Sequence, residues 1–249
     1  MAGFVNFIGG RVNAPFFSSS QCGVSVPKLP HREDVVCLDW PVSCPYIAGM
    51  SDTRERLIET ATELFLGKGY GSVGTSQICS TAGVNKGTFY HFFPSKSDLV
   101  IAAIEIYAQS FNDAFVQIAR TDAAPSEKLV ALFEVPAEAN RSWRAAHGFA
   151  QGCLIGNMTL ELSAVDEAVQ QASQIALRKW AKAIEPIITE FCDAEGLSGL
   201  DPVDGARCVV AMIQGALLMA KAHNDPSQIT AMAPAAKGAL HALARHPKT

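Results

Sequence analysis

Residues 53–100 read TRERLIETATELFLGKGYGSVGTSQICSTAGVNKGTFYHFFPSKSDLV, and the spacing of apolar residues and glycines within them decides the fold. Leu57, Ile58, Ala61, Leu64 and Phe65 fall on one stripe of a first helix. Asp52, with Glu55 three residues on, makes a capping-box-like start, and Gly67, Gly69 and Gly71 stop the helix. Thr75 opens a short second helix carrying Ile78 and Ala82. Gly83-Val84-Asn85 turns the chain, and residues 86–93 form a short third helix. Pro94 ends it, because the residue before a proline resists the α region. Ser95, with Asp98 at its third position, caps a fourth helix reaching Arg120.

Two short helices about a glycine turn, packed on a longer first helix, are the helix-turn-helix plan. Phe89, Phe92 and Phe93 stand at i, i+3 and i+4, and Phe89 and Phe93 are expected to pack inward with Val84 and Ile78. The opposite face presents Lys86, Thr88, Tyr90 and His91. These groups can donate to phosphate oxygens and base edges, and the Thr88 methyl can meet a thymine methyl. Gly87 allows close approach to the DNA backbone. Thr75 and Ser76 lie at the start of the second helix, where free N–H groups and the dipole favour phosphate. Lys96 follows the recognition helix and is placed for a flanking phosphate. A purely structural helix would carry Glu or Lys where Tyr90 and His91 stand.

The stretch closely resembles the N-terminal domain of TetR/AcrR-type transcriptional regulators, almost without gaps over 53–100, and AGVNKGTFYHFFPSK is its most specific part. The resemblance implies an all-α protein: a three-helix DNA-binding domain followed by a helical ligand-binding and dimerisation domain. It implies that Thr75 and Ser76 hold phosphates, that Lys86, Gly87, Thr88, Tyr90 and His91 face the major groove or its walls, and that Lys96 touches backbone. Phe92 departs from the family's frequent polar or His residue, so a phosphate contact there is expected to be missing.

Net charge argues against nucleic acid only as an average. The chain carries −4 overall, with 49% apolar and 18% charged residues. Residues 64–96 hold three cations and no acid, whereas 97–249 hold twelve cations and seventeen acids. The acidity belongs to the body and the reading segment is mildly basic, which predicts a shallow salt slope per subunit and reliance on dimerisation.

Beyond residue 120, helices are expected at 126–134, 137–147, 152–164, 167–195, 202–223 and 227–245, with a break at Pro136 and a kink at Pro186. Residues 202–223 are apolar on more than one face around small residues, so they are buried in a core or between subunits. With 227–245 they resemble the family's four-helix dimer interface, and a two-fold dimer reads two half-sites of a palindromic operator in double-stranded DNA. The alternative is that both helices complete a monomer's own core. An effector pocket is expected among Phe111, Phe115, Leu132, Phe133, Trp143, His147, Phe149, Cys153, Met158, Leu162 and Trp180, suited to a small hydrophobic molecule. Each of these residues also reads as plain core. Cys153 carries a sharper alternative, an electrophile or redox sensor, because a helix start with Arg144 and His147 upstream can lower a thiol pKa.

Residues 1–49 differ in texture, with prolines, Ser18-Ser19-Ser20 and no sustained period, and read as a disordered leader. Met50 directly precedes the first helix, so the working protein is expected to begin there. The domains are then 1–49, 50–97 and 98–249. Cys22, His31, Cys37 and Cys44 are separated by nine, six and seven residues, unlike the paired short spacings of structural zinc sites. Seven cysteines without a CxxC pair, and no signal-peptide pattern, suit the cytoplasm. The nearly uncharged run from Val209 to Ala220 has twelve residues, too few to span a bilayer.

Enzymatic motifs are absent: there is no GxxxxGK[ST], GxSxG or HExxH, and the histidines show no metal spacing. The reading is a DNA-binding repressor responsive to a small effector, without cofactor, metal or catalysis. The competing class is a helical binding module that has lost DNA binding, against which Lys86, Tyr90 and His91 speak.

Overall fold

The computed structural model describes residues 53–245, and every described element is helical. Asp52 and the residues before it, with the leader, its cysteines and the proposed start at Met50, lie outside the described residues. The first helix, α1 (Thr53–Lys68), buries Leu57, Ile58, Ala61, Phe65 and Leu66, while Leu64 is half-buried at the edge of the stripe. Gly69 ends it at φ 77°, a left-handed conformation that favours glycine, with its N–H on the Phe65 carbonyl.

α2 (Thr75–Ala82) follows, closed by Gly83 at φ 68°. α3 (Lys86–Phe92) is capped by Asn85, whose Oδ1 accepts the Thr88 N–H at 2.8 Å. It stops one residue earlier than expected, because Phe93 takes extended backbone ahead of Pro94. α4 (Lys96–Arg120) is capped by Ser95, whose Oγ accepts the Asp98 N–H at 3.1 Å.

α5 (Pro125–His147) corrects the expected break: it runs unbroken through Pro136. A proline inside a helix removes one backbone bond and costs about 3 kcal/mol. Here Leu129, Leu132 and Phe133 are buried on one side of it and Ala137 and Asn140 on the other, so packing holds both halves in register. α6 (Leu154–Leu162) is shorter at each end than expected. α7 (Glu167–Glu195) runs through Pro186 as one element. α8 (Pro202–His223) begins with Asp201 as cap and ends at Asn224, φ 51°.

The expected last helix is two: α9 (Ser227–Thr230) and α10 (Ala233–Arg245). Pro234 lies in the first turn of α10, where its missing N–H has no helical partner to lose, and so favours a new helix start there.

α4 and α7 form the spine of the body. Phe111 and Phe115 pack on Trp180 with ring centroids 5.2 and 5.7 Å apart, and Trp180 Nε1 donates to the Ala108 carbonyl at 2.9 Å. At the far end Lys128 is almost buried, and its Nζ donates to Glu190 at 2.6 Å and to the Ala119 carbonyl at 3.1 Å. Two asparagines pin the segment between α5 and α6. Asn140 takes both the N–H and the carbonyl of Gly152, and Asn224 takes the Ala150 N–H and the Gly148 carbonyl. α4 and α8 are long and apolar enough to cross a membrane, but each lies about half buried against its neighbours.

Candidate nucleic-acid interface

The reading helix stands on a small aromatic floor. Phe89 and Phe93 are buried, with Ile78 and Val73, against α1 and α4. Phe92 is half-buried, the third member of the i, i+3, i+4 set and the least committed to the core. Hydrophobic burial therefore fixes which face of α3 turns to solvent.

That outward face carries Lys86, Gly87, Tyr90 and His91, all exposed, with Thr88 half-buried beside them. Tyr90 leaves 52% of its surface accessible and meets Phe89 edge-on at 5.2 Å. The Thr88 Oγ donates to Asn85 Oδ1 at 3.2 Å, so its methyl and lone pairs remain for a base edge. A Cβ on Gly87 would stand 3.1 Å from the same Oδ1, which makes glycine compatible with the cap as well as with close approach.

At α2 the N-cap is Gly74, with no side-chain cap, so Thr75 and Ser76 occupy the first two helical positions and do not cap. Their N–H groups are among those a helix leaves without internal partners. Ser76 is exposed and Thr75 half-buried.

Lys96 is engaged within the domain. Its Nζ donates to the Tyr70 carbonyl at 3.0 Å and the Val73 carbonyl at 2.9 Å, and lies 3.6 Å from the centre of the Tyr70 ring. Burial holds its pKa below the usual lysine range, with Glu161 pulling the other way. Two of its three protons are committed to the turn between α1 and α2, so it braces that turn. Arg54, which sequence reasoning passed over, lies over the Phe93 ring at 5.4 Å. Tyr70 and Glu161 were also missed; their pairing joins positions about 90 residues apart and leaves no local signal.

The expected pocket residues fall into two ring groups. Phe111, Phe115 and Trp180 form one buried aromatic chain, continued by half-buried Tyr107, and Leu132, Phe133, Met158 and Leu162 are buried with them in the core. Trp143, His147 and Phe149 form the other, nearer the surface, with His147 stacked on Trp143 at 3.9 Å and itself exposed. Two polar atoms of the body, Trp143 Nε1 and Ser173 Oγ, are buried without a hydrogen-bond partner.

Cys153 is buried immediately before α6, and Gln214 Nε2 donates to its Sγ at 3.5 Å. Burial pushes its thiol pKa up, more than the hydrogen bonds from Gly156, Gln214, Ile155 and Tyr107 pull it down. The helix start does not produce an activated thiolate, because desolvation of the charge outweighs those donors. Among the described residues no three His, Cys, Asp or Glu side chains gather into a metal site.

An exposed polar helix on an aromatic floor, preceded by a glycine turn and a helix with free N–H groups, defines a helix-turn-helix DNA-binding regulator. Comparison with known proteins carries this to a family. Residues 57–103 match the profile "Bacterial regulatory proteins, tetR family", and 125–236 match "Tetracyclin repressor-like, C-terminal domain". The transcriptional regulator AcuR of Cereibacter sphaeroides is 33% identical over 82% of this chain and 89% of its own. The transcriptional repressor NemR of Escherichia coli is 25% identical over 68% and 84%. The crystal structure of a regulatory protein TetR from Rhodobacter sphaeroides superposes with TM-score 0.66 at 29% identity, covering 76% of this chain and 98% of that one. The chain belongs to the TetR family of transcriptional regulators.

Proposed function

We propose that this regulator is a homodimeric repressor of the cytoplasm, released from a palindromic operator by a small hydrophobic effector. Residues 50–97 are the reading head and 98–249 the effector-binding and dimerising body. Lys86, Gly87, Thr88, Tyr90 and His91 meet the major groove, and Thr75 and Ser76 hold phosphate. The observation that carries the reading is the exposed face of α3 over buried Phe89 and Phe93, joined by one continuous α4 to the aromatic core of the body.

Dimerisation is supported by Val203, Leu218 and Met219 on α8 and Leu243 on α10, large apolar side chains left exposed on the expected interface helices. The unpartnered Trp143 Nε1 and Ser173 Oγ are two hydrogen-bonding atoms that an effector in the body could satisfy. The raised thiol pKa of Cys153 gives no support to a thiol-sensing route.

Release requires an effector that prefers the non-reading spacing. Moving the equilibrium from 1:99 to 99:1 takes a preference of about 10⁴-fold, whatever the absolute affinity. The test is a gel shift with DNA upstream of the protein's own coding sequence and with selected genomic fragments, then a screen for hydrophobic compounds that dissolve the complex. A specific complex dissolved by such a compound is expected. A protein that shifts no genomic fragment specifically, or a complex that no compound relaxes while one activates transcription, overturns the reading.

A further inference from the structure

Glu161 lies in the last turn of α6, in the body, and grips the reading head. Its Oε2 accepts the Tyr70 N–H at 2.9 Å and the Gly71 N–H at 3.2 Å. Gly69 lies against the same carboxylate; a Cβ there would stand 2.9 Å from Oε1. From the other side Lys96 holds the carbonyls of Tyr70 and Val73. The turn between α1 and α2 therefore has its amides bound by a carboxylate and its carbonyls by an ammonium. Directly after Val73 comes Gly74, whose carbonyl accepts the Gln77 and Ile78 N–H groups that start α2. The turn sets where Thr75 and Ser76 point.

The other end of α6 is fastened to the body. Gly152 is clasped by Asn140, the Cys153 thiol is bonded by Gln214 of α8, and a Cβ on Gly156 would stand 2.9 Å from Gln214 Oε1. α6 also packs on α4 and α7. One short rod thus runs from the polar groups beside the core to the turn ahead of α2.

We propose that Glu161 is a positioning residue for operator binding: through its two hydrogen bonds, α6 sets the turn that aims α2, without touching DNA. For its regulatory consequence the proposal rests on the ligand-responsive reading above. A neighbouring tie, from Ser97 Oγ to Asp166 at the cap of α7, reaches α4 and not the turn, and serves as a control.

Coupling between two sites is reciprocal, so operator DNA itself is a sufficient probe of it. Residue-level amide exchange is measured with and without an operator duplex recovered from genomic selection. In the wild type the duplex is expected to raise protection of Tyr70, Gly71 and α6 at least ~3-fold. Glu161→Ala is expected to lose the α6 response and to bind the duplex about tenfold more weakly, with unchanged helix content. Glu161→Gln, whose amide oxygen can accept the same two bonds, keeps both within about threefold. Glu161→Asp, too short to reach, behaves like the alanine variant, and Ser97→Ala behaves like the wild type. A full α6 response in Glu161→Ala, no response in the wild type, or failure of Glu161→Gln to rescue overturns the proposal. If these results hold and no effector is ever found, ligand release fails while the role of Glu161 stands.

Discussion

Asn140 and Gly152 exchange a pair of hydrogen bonds: the Gly152 N–H donates to Asn140 Oδ1 at 2.9 Å, and Asn140 Nδ2 donates to the Gly152 carbonyl at 3.1 Å. Both residues are buried, so each bond has no water to replace it. The same Nδ2 reaches the Pro136 carbonyl at 3.0 Å. Asn140→Ala is expected to leave these backbone groups unpaired and to cost about 2–4 kcal/mol, read by chemical denaturation at constant m. A loss below ~0.5 kcal/mol would show that the clasp contributes nothing net.

Lys86 and Lys96 are expected to separate in a salt titration. Lys86→Ala removes an exposed cation of the reading face and lowers the slope of log K against log salt by about one. Lys96→Ala loosens the turn ahead of α2, so it weakens operator binding across sequences with a slope change well under one. Equal slope changes would return Lys96 to direct phosphate contact.

Glu59 on α1 has its pKa raised, first by burial and then by Glu55 and Glu63. A raised carboxyl pKa means that the folded state binds the proton more tightly than the unfolded state. Stability is therefore lost as pH climbs from the ordinary glutamate value through the folded one. Glu59→Gln is expected to raise Tm at pH 7, and the gain to shrink as pH falls through the raised folded pKa and to be gone once pH is below the ordinary glutamate value. A constant gain down to pH 3 would assign the effect to packing.

Cys153 is buried and Cys208 half-buried, and burial raises both thiol pKa values. Peptide mass spectrometry after maleimide treatment of the native protein is expected to find Cys153 modified at least ~10-fold more slowly than Cys208. Faster labelling at Cys153 would revive the thiol-sensing route.

Leu218 on α8 is 57% exposed in the single chain. If α8 faces its counterpart in the dimer, Leu218→Glu places like charges across a two-fold axis. Sedimentation is expected to show dissociation to monomers, with at least ~10-fold weaker operator binding and unchanged helix content. A dimer of wild-type strength would move the interface elsewhere.

The reading head was legible because its signals are local. Gly83 takes the left-handed turn that its position implied, Pro94 stops α3, and the period of Phe89 and Phe93 decides which face of α3 is exposed. Pro136 and Pro234 show the limit of local rules. The first is overridden by apolar packing along α5, and the second begins a helix where a longer one was expected. The surroundings of Lys96, Cys153 and Glu161 were not legible because they depend on partners far along the chain. An exposed position, a helix start and an ordinary glutamate look alike in sequence whether they face water, a carbonyl or an amide.

α4 spans 25 residues without interruption, from the end of the reading head to the far end of the aromatic core. At 1.5 Å per residue it is a lever about 37 Å long. From Phe115, which packs on Trp180, back to Lys96 the arm is about 28 Å, so a tilt of about 5° there carries the start of α4 about 2.5 Å, most of the ~3.4 Å rise of one base pair. On the proposed reading, an adjustment in the core no larger than a side-chain repacking is amplified into a register error on DNA. The stiffness of this one helix is what allows something that small to be counted in base pairs.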